Sequence, residues 1–137
     1  MAEFIPRHKL WLEEGGRLVM SDYRVRLLEL VAESGSLAHA ATEMGLSYRR
    51  AWGKVKEIEA NLGFPLVQSE VGGAGGGHTS LTPAGLALVA SYRRFQERAG
   101  EAIERAFAEE LPALAGSGTA QGGGPAAGRL RPGHGGD

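Results

Sequence analysis

The feature that most constrains this chain is the punctuation of one stretch, Ser34 to Leu62, SGSLAHAATEMGLSYRRAWGKVKEIEANL. Ser36 is suited to an N-cap, because its hydroxyl accepts a bond from an unpaired amide of the first turn, and a helix is predicted over Leu37–Met44. Gly45 ends that helix by supplying the left-handed conformation that other residues adopt only at a cost. Ser47 then caps a second helix from Tyr48 to about Asn61, closed by Gly63. Two helices joined by so short a turn must cross steeply. This is the helix-turn-helix unit, whose second helix enters the DNA major groove.

The faces of the second helix sharpen that reading. Ala51, Val55, Ile58 and Leu62 follow steps of four, three and four, so they form one apolar stripe that must be buried. The opposite side carries Arg49, Gly53 and Lys56, with Arg50 at its flank. An arginine fork suits the O6 and N7 atoms of guanine, whereas a lysine matches phosphate as a point charge. Gly53 costs roughly 1 kcal/mol against alanine inside a helix, a cost that close approach of the backbone to a groove wall accounts for. The plain alternative is a charged face turned to solvent. Caps, turn and basic face agree, and that agreement favours DNA.

The whole chain does not hold nucleic acid by bulk charge. Its 137 residues, 42% of them apolar, suffice for one modest domain, and the formal net charge is -1. Affinity must come from a local patch, and Ser47 to Leu62 places Arg49, Arg50, Lys54 and Lys56 against Glu57 and Glu59. The absence of cysteine excludes disulfides and thiolate metal sites. With no apolar run of membrane-spanning length and no secretory segment, the expected location is cytoplasmic.

The flanking segments read as support. Lys9–Leu12 and Arg17–Met20 around a Glu13–Gly16 turn predict a β-hairpin that packs on the following helices. Ser21 caps a helix from Asp22 to about Glu33, whose Val25, Leu27, Leu28, Val31 and Ala32 form the floor of the core. Pro65–Val71 and His78–Leu81, around the glycine-rich loop Gly72–Gly77, predict a second hairpin placed as a wing. Amides of that loop are suited to phosphates. A long helix is expected over Pro83–Glu110, with Thr82 as cap and with Leu86 and Val89 over the core. Its Leu88, Tyr92, Phe95, Ala99, Ala102 and Ala106 alternate steps of four and three, widened by Ile103 and Phe107, the repeat of a helix packed along another. A homodimer is the expected consequence.

Two stretches of this sequence, SGSLAHAATEMGLSYRRAW and FPLVQSEVGGAGGGHTSLTPAG, resemble the N-terminal winged-helix domain of ModE-type molybdate-responsive transcription regulators, which are related at this level to LysR-type DNA-binding domains. The most specific pieces are Gly45-Leu46-Ser47-Tyr48 with Ala51-Trp52, and the wing run Gly72 to Gly77 followed by Leu81-Thr82-Pro83-Ala84-Gly85. The resemblance spans about Lys9 to Glu110. It implies that the first hairpin, with Trp11, belongs to the dimer-forming part, whereas the residues alone describe a cover over the core. Full-length relatives of this type continue into a molybdate-binding domain, while here a tail follows, so the resemblance supplies no ligand site.

Other chemistries fit less well. Gly72 to Thr79, GGAGGGHT, has the spacing of a P-loop, but His78 stands at the lysine position and the next helix starts only near Pro83. His8, His39, His78 and His134 show no metal-ligand spacing, and Ser47 is accounted for as a cap. No catalytic residue, cofactor or metal site is therefore expected. The chain reads as mainly α with small β-hairpins, a winged helix-turn-helix with a long C-terminal dimerisation helix. Residues 1–111 form the DNA-binding and dimerisation domain, and the Gly/Pro/Ala-rich residues 112–137 form a disordered tail. The expected function is a homodimeric, sequence-specific transcription regulator on an inverted-repeat site in double-stranded DNA, with a link to molybdate or another metal oxyanion and no effector site legible. The competing reading is a winged-helix interaction module working with a separate effector-binding partner. Expected DNA contacts are Ser36, Ser47, Tyr48, Arg49, Arg50, Gly53, Lys54 and Lys56, with Gly75, Gly76, His78 and Thr79 of the wing. Expected dimer contacts are Trp11, Leu88, Tyr92, Phe95, Ala99, Ile103 and Phe107.

Overall fold

A computed structural model describes residues 3–70 and 78–116. Strands β1 (Trp11–Glu14) and β2 (Arg17–Ser21) form an antiparallel hairpin, followed by helices α1 (Asp22–Ser34), α2 (Leu37–Glu43) and α3 (Tyr48–Leu62). Strands β3 (Val67–Glu70) and β4 (His78–Leu81) pair as the wing, and α4 (Pro83–Glu110) and the single turn α5 (Pro112–Ala115) close the described chain. This is a mainly helical winged helix-turn-helix with two small hairpins.

The helix starts follow the sequence closely. Ser21, Ser36, Ser47 and Thr82 each occupy the N-cap and accept the amide of Arg24, His39, Arg50 and Gly85 in turn. Each bond satisfies one amide that the helix itself leaves unpaired. Between α2 and α3, Gly45 takes a φ of 72°, so the chain reverses within a few residues. The crossing this forces puts Ala40 and Ala41 of α2 and Ala51 of α3 into one core, where small side chains let the two backbones approach.

That core fills the space between α1, α2, α3 and the wing. Val25, Leu28 and Val31 of α1 meet Val55 and Ile58 of α3, closed by Met20 from β2 and Leu66 before the wing. Burying each such side chain stabilises by about 1.5–3 kcal/mol. Around it the wing is tied at both ends. The Glu59 carboxylate accepts the amides of Leu66 (2.7 Å) and Val67 (3.2 Å), and the Thr79 amide bonds the Gly35 carbonyl at 2.9 Å. Gly85 meets the backbone so closely that a Cβ would lie 2.4 Å from the Leu66 oxygen. Only glycine lets α4 start there.

The structure departs from the sequence reading in several places. The first turn is just Gly15-Gly16, both at positive φ, so Glu13 and Glu14 belong to the strand and a bulge follows Leu12. The two-residue turn wins because its backbone twist matches that of the strands. Ala32 and Leu86 are exposed rather than in the core. Leu30 and Arg24 take up the edge of the α1 face, and Gly85, Leu88, Val89 and Tyr92 make the α4 contact, because the helix phase is set by the Gly85 approach. Residues 112–115, expected within a loose tail, form one helical turn. Expectations for the wing loop and for the tail after residue 116 lie outside the described residues.

The first half of α4 is tied to α1 and to the segment before β1 by side-chain bonds. Near its start Tyr92 is buried, its hydroxyl within bonding distance of the Leu10 carbonyl (3.0 Å) and Asp22 Oδ1 (3.1 Å). Arg93 then clamps Glu29 of α1 through two bonds, Nε to Oε2 at 2.6 Å and Nη2 to Oε1, while Gln96 reaches Asp22. That bond from Arg93, opposed by burial and reinforced by the charges of Arg93 and Arg26, holds the Glu29 carboxyl below the usual carboxylate range. Further along, Gly100 lies near the His8 ring, and Ile103 and Phe107 are half-buried.

Candidate nucleic-acid interface

The solvent face of α3 concentrates basic and aromatic groups without burying them. Its inward stripe, Ala51, Val55 and Ile58, is fully enclosed, so the helix cannot rotate. Tyr48, Arg49, Arg50, Trp52, Gly53 and Lys56 are thereby left on the outside. Tyr48, Trp52 and Lys56 follow one another at four-residue steps and form a row along the helix.

Three pins fix the helix beneath that row. Arg24, only 4% exposed, reaches from α1 to the Val19 carbonyl (3.3 Å) and to Glu57 on α3 (3.1 Å). Tyr23 donates to the Met44 carbonyl at 3.3 Å and holds the turn before α3. At the far end Asn61 donates to the Leu18 carbonyl, also at 3.3 Å, joining α3 to β2. A recognition surface needs such support, because a small misplacement of contacting atoms forfeits their bonds.

Most expected DNA-facing residues converge, and some do not. Ser47, Tyr48, Arg49, Arg50, Gly53 and Lys56 share the exposed side of α3, and Ser36 caps the neighbouring α2. Thr79 hydrogen-bonds Gly35 just before Ser36, and the His78 ring packs on Gly35, so this edge of the wing meets the α1–α2 corner. Lys54 sits differently from the expectation. It is 8% exposed, with its ammonium 5.8 Å from the Tyr23 ring centroid, because its position on α3 points toward α1. Gly75 and Gly76 lie outside the described residues.

A Cβ at Gly53 would meet nothing within 4 Å, so packing inside this chain does not require glycine there. Lys56 is partly engaged, bonded to Glu59 at 3.3 Å and lying over the Trp52 ring at 4.7 Å. Burial pushes the Glu59 carboxyl up, but the amides of Leu66 and Val67 and the Lys56 ammonium outweigh it and leave it below the usual range. Trp52 was absent from the expected contacts. Its four-residue spacing from Tyr48 and Lys56, off the buried stripe, was the signal for it.

The expected dimer residues divide in the same way. Tyr92 is spent on its own core, Leu88 packs partly on that core, and Trp11 bonds Glu13. Phe95 is 44% exposed, its ring edge-on to Tyr92, and Ala99, Ile103 and Phe107 are half-buried along the C-terminal part of α4. Among the described residues there is no group of three metal-ligating side chains, and no helix is long and apolar enough to cross a membrane.

Comparison with known proteins places this surface in context. Residues 23–86 match the bacterial regulatory helix-turn-helix proteins of the LysR family. The molybdenum transport protein ModE of Herbaspirillum seropedicae is 39% identical over 92 residues, 66% of this chain and 34% of that protein. The DNA-binding transcriptional dual regulator ModE of Escherichia coli K12 is 36% identical over 76 residues, 56% of this chain and 29% of its own length. The chain thus spans about a third of the curated relatives it matches. The solved complex of the CbnR DNA-binding domain with DNA superposes with a TM-score of 0.49 at 29% identity, covering 63% of this chain and 93% of that one.

Proposed function

We propose, from the premise that residues 23–86 are a LysR-type helix-turn-helix segment homologous to the N-terminal regions of ModE proteins, that this protein is a DNA-binding transcription regulator linked to molybdenum. The observation that carries the DNA reading is the outer face of α3, a row of exposed basic and aromatic side chains on a helix whose other face is locked into the core. Arg49 and Arg50 supply guanidinium forks for base edges. Ser47 and Ser36 lie at helix starts, where amides and hydroxyls meet phosphates. Gly53 admits close approach of the groove wall, and the wing edge at His78 and Thr79 reaches flanking phosphates. The link to molybdenum follows the names of the relatives.

The protein acts as a homodimer through the C-terminal part of α4, where Phe95, Ala99, Ile103 and Phe107 lie. Charge supports an antiparallel pairing of the two α4 helices. Residues 83–98 carry Arg93, Arg94 and Arg98 against Glu97, whereas residues 99–110 carry Glu101, Glu104, Glu109 and Glu110 against Arg105. Opposite ends attract when two copies run in opposite directions. The described residues, through the helical turn at 112–115, constitute the folded regulator, and the setting is the cytoplasm.

The test is selection of bound duplexes from a random DNA library by the purified protein at near-physiological salt, where purely electrostatic binding is suppressed. An enriched inverted repeat is expected. A folded protein that enriches no motif contradicts the reading, and a monomeric mass by light scattering at micromolar concentration contradicts the dimer.

A further inference from the structure

We propose that Trp52 reads thymine methyl groups in the major groove, and so sets sequence preference alongside the arginines. This rests on the DNA-binding reading above and specifies the chemistry of the same face. Trp52 is 36% exposed on the outer side of α3, at a four-residue step from Tyr48, itself 56% exposed. Leaving two large aromatic surfaces adjacent to water forfeits their burial, and they lie beside Arg49 and Gly53 on the face assigned to the groove.

The side chain is also oriented. The Lys56 ammonium sits 4.7 Å from the Trp52 ring centroid and is held in turn by Glu59 at 3.3 Å. Glu59 is fixed by the amides of Leu66 and Val67. A chain of contacts therefore runs from the base of the wing to the indole, covers one face of the ring with a cation and limits its rotamers. Gly53, the next residue, adds no side chain that would hold the ring away from a groove wall. In the major groove the thymine C5-methyl is the apolar group that a ring held in this way meets, and no other base pair presents it. Lys56 then acts chiefly as a positioning residue for Trp52.

The test replaces thymine by uracil, which removes only the methyl, one position at a time across the operator recovered by selection. Each methyl in contact with Trp52 should cost the wild-type protein about three- to fourfold in affinity, the size of one buried CH2 group. Trp52→Phe should retain that uracil penalty, and Trp52→Ala should bind the thymine and uracil duplexes equally. Lys56→Gln, which removes the cation over the ring, should shrink the penalty without abolishing specific binding. The proposal is overturned if no thymine of the half-site shows a methyl penalty with wild-type protein, a result that needs no variant to fold. It is equally overturned if Trp52→Ala keeps the full penalty, since another group then reads the methyl. In both cases a selected operator still stands, so the methyl contact fails separately from DNA recognition. If wild-type protein selects no operator, the parent reading itself has failed.

Discussion

Helices α3 and α4 carry the same kind of apolar stripe, yet the fold treats them differently. Every apolar side chain on the inward stripe of α3 is covered within the chain, from Ala51 through Ile58. On α4 full burial ends at Tyr92 beside the Arg93–Glu29 clamp, and the stripe continues through Phe95, which is exposed, and Ala99, Ile103 and Phe107, which are only half-covered. An amphipathic repeat says that a face will be buried, not what buries it. Where the repeat outruns its own domain, a second molecule is the natural cover.

Hollowing out the two stripes should have unlike consequences. Ile58→Ala should cost about 2–5 kcal/mol in urea unfolding, because it opens a cavity in a closed core. Ile103→Ala should leave the unfolding of a dilute monomer nearly unchanged and instead weaken self-association measured by sedimentation. Equal losses of monomer stability at both sites would show that α4 is covered within the chain after all.

The outer faces give a smaller contrast. Arg49→Ala should lose about 1–3 kcal/mol of affinity for the selected operator and less for unrelated duplexes. A uniform loss on all duplexes would assign Arg49 to phosphate. The two helix glycines sharpen the point further. Gly85→Ala forces a methyl against the Leu66 carbonyl and should destabilise by about 1–3 kcal/mol. Gly53→Ala should leave folding unharmed, or stabilise it by up to about 1 kcal/mol, while reducing DNA affinity. Thermal melts and binding titrations on the same two variants separate a glycine required by packing from one required by a partner.

The smallest effect concerns acid. Glu29 secures α4 on α1 and Glu59 secures the wing on α3, and both have folded-state pKa values below the ordinary 4.5. A depressed carboxylate stabilises fully above its unfolded pKa, and that contribution disappears as pH falls through the lower folded value. Urea midpoints should hold from neutrality to about pH 5 and fall progressively below it. Glu29→Gln should flatten part of that fall. An unchanged pH slope in this variant would mean that the Arg93 clamp does not contribute to stability.

Much of the fold was legible because its signals are local. Ser21, Ser36, Ser47 and Thr82 act on amides within their own first turns, and Gly45 and Gly63 act on their own backbone angles. Periodicity likewise identified the buried stripe of α3. The phase of the other helices was less legible, and Ala32 and Leu86 show why. Each stands at the edge of an apolar face, and whether an edge is covered depends on what arrives from elsewhere in the chain. Among the candidate contacts, Arg49, Arg50 and Gly53 could be placed on the outer face by counting alone. Lys54 could not, since its charge argues for solvent whereas its place on α3 turns the stem toward α1 and Tyr23.

The element order, the helix-turn-helix and the side of α3 that faces outward thus follow from local signals, because bonds spanning four residues or fewer are encoded by neighbours in the chain. How far α4 is supported, which lysine remains at the surface and how Trp52 is held depend instead on long-range packing. Those outcomes rest on contacts such as Tyr92 to Leu10 and Arg93 to Glu29, 82 and 64 residues apart. Such pairings form only when the whole core closes, and no local rule carries them.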